Sequence, residues 1–227
     1  MKKAISDAEI VIYGASGHGK VVADILQTLG IEVAGFIDDD PLKAQEIFGL
    51  RILGDGKWLI EHAASRSVSV ALGIGDNFAR RVVMDRCSSA GIRPLTAIHP
   101  SATIAPSAKL APGTVVMAHA VVNADAVIGH GAIINTGAIV EHDCRVGNFS
   151  HLSPKVAIGG HAQIGDFAWL GIGSTVIHGV KVGAGSIVGA GATVVADISE
   201  WVVAIGTPAR VSREITPRMK QEGFRPE

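Results

Sequence analysis

The residues best suited to chemistry lie in the segment NTGAIVEHDC (135–144), where His142 stands between Glu141 and Asp143. An imidazole beside a carboxylate is a general base, because the anion orients the ring and raises its basicity. His151 follows nine residues later. A separate group opens the chain. The apolar run Ile10 to Tyr13 leads into GASGHGK (14–20), whose glycines Gly14, Gly17 and Gly19 precede the helix-like run VVADILQTLG. Such a turn presents backbone N–H groups and a helix N-terminus to an anion. Ser16, Gly17 and His18 fall in it, and the His18 imidazole is suited to donate to a phosphate or a sugar hydroxyl.

A six-residue period positions the histidines. From Ile98 to Ile198 an aliphatic residue recurs at every sixth position from 98 to 194 without a slip, and a small residue follows four places later in most hexads, as at Ala120, Ala126, Ala132 and Cys144. Six residues fit neither a helix nor one long alternating strand. They fit a coil of three short flat faces joined by tight corners, the hexapeptide β-helix. Residues eighteen apart then stack at about 4.8 Å, the spacing of paired strands, giving five to six coils. In the column 124, 142, 160 and 178 the position one coil after His142 is Gly160, and the missing side chain leaves a slot for a thin acyl chain. Nine residues is half a coil, so His142 and His151 point to opposite sides of one prism and share a site only across a subunit contact. Three prisms around a threefold axis would make three such clefts.

Residues 1–96 read as a small Rossmann-like α/β domain, residues 97–212 as the β-helix and 213–227 as a C-terminal tail. In the first domain a second strand, VAGFI (33–37), ends at Asp38, Asp39 and Asp40, and a third, SVSVALGIGDN (67–77), ends in a turn at Gly75 before a helix to about Ala90. The three strand ends lie along one edge of a parallel sheet, facing a nucleotide-sized ligand. The G-x-x-G-x-G spacing and the short domain disfavour NAD.

Composition narrows the partners. Twenty Lys and Arg against 21 Asp and Glu leave no basic run, and aromatics make up only 4%, which excludes phosphate tracking and base stacking on nucleic acid. No stretch approaches the roughly eighteen apolar residues of a membrane span, and MKKAISDAEI lacks a signal-peptide core. The chain is therefore expected to be cytoplasmic. Cys87 and Cys144 are read as unbridged, with Cys144 at an inward position.

Taken together, GASGHGK, FIDDD, AIHPSA, NTGAIVEHDC, SHLS and GTPAR (206–210) resemble the NeuD/PglD-type sugar acetyltransferases over nearly the whole chain. The resemblance implies an N-terminal nucleotide-sugar domain, a trimeric left-handed β-helix, and acetyl transfer from acetyl-CoA without a metal. It implies His142 as general base and Asp143 as the group that raises its basicity. It also implies Asn135 near the acceptor, His151 on the acetyl carbonyl, Gly160 near the thioester, and Ile172 and Ala190 along the pantetheine groove. In the first domain it assigns Ser16, Gly17 and His18 to the phosphates, Asp38 and Asp39 to the base and ribose, and Gly75 to the third loop.

The expected reaction is N-acetylation of the 4-amino group of a nucleotide-linked, UDP-linked by preference, amino-deoxy-sugar by direct attack. Three alternatives stay open: sugar O-acetylation of the sialic acid type, a γ-carbonic-anhydrase-like zinc enzyme, and a non-catalytic scaffold. The zinc reading is disfavoured because that family's close histidine pair is five residues apart, and no two histidines of the repeat are.

Overall fold

The computed structural model describes residues 8–40, 42 and 45–216. The first domain contains β1 (Glu9–Tyr13), α1 (Gly17–Thr28), β2 (Gly35–Ile37), β3 (Glu46–Ile47), β4 (Leu50–Gly54), α2 (Gly56–Ala63), β5 (Val68–Leu72), α3 (Asn77–Ser89) and β6 (Arg93–Leu95). The sheet order is β3-β4-β2-β1-β5-β6, with only the β3–β4 hairpin antiparallel. The strands β2, β1 and β5 are neighbours, so the turns after them share one edge as the sequence pattern requires. The hairpin and α2 have no counterpart in the expected element list.

From Ala97 the chain winds as a parallel β-helix. Two-residue strands at 97, 115, 133, 151, 169 and 187 form the first face, those at 103, 121, 139, 157, 175 and 193 the second, and those at 109, 127, 145, 163 and 181 the third. Pairing at an eighteen-residue offset is direct, as in Val115↔Ile133 and Val121↔Ile139. The aliphatic positions from Val116 to Val194 and their small partners are buried together in one core. Burying each aliphatic side chain stabilises by roughly 1.5–3 kcal/mol, so the ladder is the main stabilising element of this half. Two of the polar small partners bond to corner carbonyls: Ser150 Oγ donates to the Gly147 carbonyl of its own coil at 2.8 Å, and Cys144 Sγ to the Gly159 carbonyl of the next coil at 3.1 Å. Both cysteines are free and buried.

The corners take left-handed backbone not only at glycines but at His119, Asp125, Asp143, Phe149, Lys155, His161 and Phe167. The β-helix ends with a strand Val202–Ile205 against an antiparallel strand Arg210–Glu214, and Ile215 is buried behind it. Ordered pairing thus runs past the expected boundary at 212, and the rest of the expected tail, 217–227, lies outside the described residues. Among the described residues no helix is long and apolar enough to cross a membrane.

The two halves share a packed interface. Ala97, Val115, Met117 and Ile133 of the first face join the core under α1, and Phe78 of α3 stacks on Phe167 with ring centroids 4.9 Å apart.

Candidate active site

The α1 N-terminus is built to stay open. Asp55 caps α2 and Asp76 caps α3 through side-chain hydrogen bonds, whereas Ser16 makes no such bond to α1 and the first turn of α1 holds no acidic residue. Uncapped N–H groups and the helix dipole leave a site for an anion. Gly17 is exposed and a Cβ there would meet nothing within 4 Å, whereas one on Gly14 would strike the Gly73 carbonyl at 2.7 Å. Gly14 and Gly19 are therefore needed for packing, and Gly17 faces open space.

Asp38 and Asp39 lie next to this turn with partners inside the fold. Asp38 accepts from the Ala15 N–H at 2.7 Å and the Asp40 N–H at 3.0 Å, which holds the glycine turn. Asp39 accepts from the Tyr13 hydroxyl, the Gly56 N–H and the Arg86 guanidinium, all within 2.9 Å. Burial alone would raise its carboxyl, but these donors hold it below the usual range.

A second cluster lies where the loop after β5 meets the first face of the β-helix. Asn135 Nδ2 donates to His151 Nε2 at 3.0 Å, and the amide orientation is fixed because Asn135 Oδ1 accepts from the Thr136 N–H at 2.8 Å. The Gly75 backbone lies within hydrogen-bonding reach of the same imidazole. The His151 ring stacks at 12° on Trp169 and faces His18 at 6.3 Å. Burial, with help from Arg80, pushes His18 down to about 4; burial, Arg80 and His18 push His151 down to about 3. Both rings are neutral at physiological pH, and His18 Nε2 is buried without a partner among the described residues. A neutral imidazole has one N–H, and with Nε2 accepting from Asn135 that N–H is on the side of Gly75. Within one chain His151 thus packs between Gly75 of the third loop and Asn135. Beside it a cavity of about 320 Å³ is lined by Asp76, Phe78, His151, Trp169, Ile187 and Trp201 among others.

Arg80 fastens this junction and was not foreseen. Its guanidinium is fully buried and donates to five carbonyls, those of Gly131, Ile74, Gly75, Phe149 and Ser150, and to Asn77 Oδ1, at 2.6–3.3 Å. Burial lowers it to about 9. One side chain thus ties the third loop to the corners of two coils. In sequence it reads as one more solvated helix arginine.

His142 sits elsewhere, at the corner between the second and third faces, following strand Ile139–Val140. Its Nδ1 lies 2.8 Å from Asp143 Oδ2. A carboxylate only accepts, so Nδ1 carries the proton and Nε2 is left with its lone pair. The same contact is the main reason the Asp143 carboxyl is held below its ordinary value. The ring lies over Gly160, where a Cβ would come within 2.6 Å of Nε2. The slot anticipated for an acyl chain is thus occupied by the imidazole itself, because the ring folds down onto the next coil. His161 meets His142 edge-on, with centroids 5.3 Å apart. The stacking arithmetic gives it away: nineteen residues is one coil plus one position.

Within the chain the structure brings His18, Gly75, Asn135 and His151 together, and His142, Asp143 and Gly160 together, but on different sides of the prism. Ile172 and Ala190 occupy equivalent positions on adjacent coils at the corner between the first and second faces, both exposed. The second face separates them from Gly160.

Family models match a part of each half of the chain. Residues 9–87 match the PglD N-terminal domain and residues 161–196 the bacterial transferase hexapeptide family. A histidine-to-asparagine mutant of perosamine N-acetyltransferase from Caulobacter crescentus, solved with CoA and GDP-perosamine, superposes with a TM-score of 0.87 at 41% identity. The match covers 93% of this chain and 100% of that one. The acetyltransferase domain of PglB from Neisseria gonorrhoeae, in complex with acetyl coenzyme A, superposes at 0.85 with 33% identity over 91% and 100% of the two chains. A curated relative, an acyl-[acyl-carrier-protein]–UDP-N-acetylglucosamine O-acyltransferase from Burkholderia orbicola, is 40% identical over 83 residues. That match spans 37% of this chain and about a third (32%) of the relative's length.

Proposed function

The chain belongs to the PglD-type sugar acetyltransferases, and from that premise we propose that it transfers the acetyl group of acetyl-CoA to the 4-amino group of a nucleotide-linked amino-deoxy-sugar. The observation that carries the proposal is the His142–Asp143 pair with Nε2 free above Gly160. As the amine attacks the thioester carbonyl, the C–N bond forms and Nε2 takes the amine proton. The tetrahedral intermediate collapses, the C–S bond breaks, and the imidazolium returns the proton to the departing thiolate. General base catalysis of this kind contributes about 10²–10⁴-fold. Asp143 keeps Nδ1 protonated and stabilises the imidazolium.

The open α1 N-terminus and His18 hold the phosphates of the acceptor, and Gly160, Ile172 and Ala190 lie along the acetyl-CoA side. Because His18 and His142 lie on different sides of one prism, the acceptor held by one chain is acetylated by His142 of a neighbour in a homotrimer. The sequence favoured UDP. The relative at 41% identity was solved with GDP-perosamine, so a GDP-linked 4-amino-sugar is the acceptor we propose in place of the UDP-linked one.

The test is thiol release from acetyl-CoA against GDP-, UDP- and dTDP-linked 4-amino-sugars and a 4-hydroxy control. The GDP-linked amine should stand out by kcat/KM. Turnover of the hydroxyl compound instead would select O-acetylation, and release with none of them would overturn the acceptor assignment.

A further inference from the structure

His142, Asp143 and His161 each offer one ligand atom, and these atoms all lie within 4.8 Å of one another. Asp143 Oδ2 is 2.8 Å from His142 Nδ1 and 3.6 Å from His161 Nε2. Ligands of a tetrahedral zinc ion, at about 2.0–2.2 Å from the metal, stand about 3.3 Å apart; the two Asp143 pairs are within a few tenths of an ångström of that, and rotation of the exposed rings has to close the His142–His161 pair, which lies within 4.8 Å. Two imidazoles and a carboxylate are the donor types zinc prefers, and three protein ligands leave a position for water.

The frame is rigid. Asp143 and His161 hold the same corner position on successive coils, both with left-handed backbone (φ 60° and 61°), and the His161 N–H donates to the His142 carbonyl at 3.0 Å. The backbone ladder fixes where the three side chains leave the coil, and the exposed rings and carboxylate turn onto the ion.

We propose that this corner is a zinc-type metal-binding site formed by His142, Asp143 and His161, and that occupancy switches the acetyltransferase off. When the ion takes Nδ1, the proton there leaves to solvent and Nε2 gains one, so the ring stays neutral and changes tautomer. The lone pair the amine needs at Nε2 is then gone, with no net change in bound protons at His142. The ion is an inhibitor and takes no part in the transfer. The inhibitory half rests on the reading of His142 as base; the binding half does not.

The test uses full-length enzyme stripped with EDTA and desalted. Co²⁺ alone is titrated as a spectroscopic substitute, and Zn²⁺ is titrated against thiol release. Expected are the intense visible bands of tetrahedral Co²⁺ saturating at one ion per chain, and zinc inhibition reversed by EDTA. His161→Asn, and His161→Gln as a second variant, should keep basal turnover, lose the bands, and require at least about tenfold more zinc for inhibition. Altering even an outer-shell partner of a metal ligand costs that much. Mg²⁺, which demands oxygen ligands, should have no effect. Absent bands, or bands undiminished in both His161 variants, would overturn the site. His161-dependent bands with unchanged turnover would leave the site standing, overturn the switch, and count against His142 as base.

Discussion

Gly160→Ala is the sharpest perturbation the geometry offers. A Cβ at this position would stand 2.6 Å from Nε2 of His142, where ordinary van der Waals contact begins at 3.4 Å. The imidazole would have to move by about 0.8 Å, the difference between those distances. Misplacing a reacting group by about 1 Å costs on the order of 10²-fold, equivalent to roughly 2.7 kcal/mol of activation free energy. The fold should hardly notice. Gly160 does not need a left-handed backbone, and the His142 side chain is 55% exposed and free to swing outward, so the stability change should stay within about 0.5–1 kcal/mol. Steady-state thiol release and a thermal melt of the same preparation separate the two effects. The expected result is kcat down about 10²-fold with KM for the nucleotide sugar unchanged. A variant within about threefold of the parent, or one that changes only KM for acetyl-CoA, would refute the placement of the base over this glycine.

Three further outcomes follow, two from the junction between the halves and one from the glycine turn. Arg80→Met removes a donor from five carbonyls and an amide oxygen, of which the Ser150 carbonyl keeps its bond from the Ile133 N–H, and should cost about 3–5 kcal/mol. That corresponds to a fall in Tm of roughly 10 °C at this chain length; Arg80→Lys, lacking the fork, should recover little of it. His18 and His151 are held neutral in the folded chain down to about 4 and 3, below the unfolded value of about 6.5. As pH falls through that window the unfolded chain takes up protons the native chain refuses. Stability should therefore drop below pH 6.5, by up to about 2.7 kcal/mol per pH unit for the pair. Denaturant titrations at fixed protein concentration check this, and equal stability at pH 7 and pH 5 would contradict it. Finally, Gly17→Trp should raise KM for the nucleotide sugar and leave KM for acetyl-CoA alone. Mixing it with inactive His142→Ala chains and refolding should restore part of the activity if the site is shared between neighbours; no recovery would place both halves of the site in one chain.

The β-helix was legible because a single period carries its whole core. Val122, Ala126 and Ile128 fall inward for the same reason their counterparts eighteen residues away do. His142 was legible because its partner is its sequence neighbour. What the sequence hid are contacts made by distance in the chain. Arg80 reaches carbonyls 51 to 70 residues away, and nothing in NFARRVVMDRC distinguishes it from Arg81, which pairs with Asp85 at the surface. The hairpin β3–β4 and α2 were missed because strands of two and five residues and a helix of eight carry too little periodicity to be read. Asp38 and Asp39 were visible as carboxylates at a strand end, but their occupation by Ala15, Tyr13, Gly56 and Arg86 depends on β1 and the turn after it, the start of α2 and the last turn of α3 meeting there. His151 was correctly separated from His142 by the half-coil argument. Its immersion against His18 and Trp169 depends on how the first domain docks, which the hexad period does not encode.

The central claim is that Nε2 of His142 removes the proton from the attacking amine, and His142→Ala tests it most directly. The side chain is exposed and outside the aliphatic core, so the variant should assemble and melt like the parent. Its kcat at neutral pH should fall by about 10²–10⁴-fold, with KM for acetyl-CoA little changed. A folded His142→Ala enzyme turning over within tenfold of the parent would contradict the account.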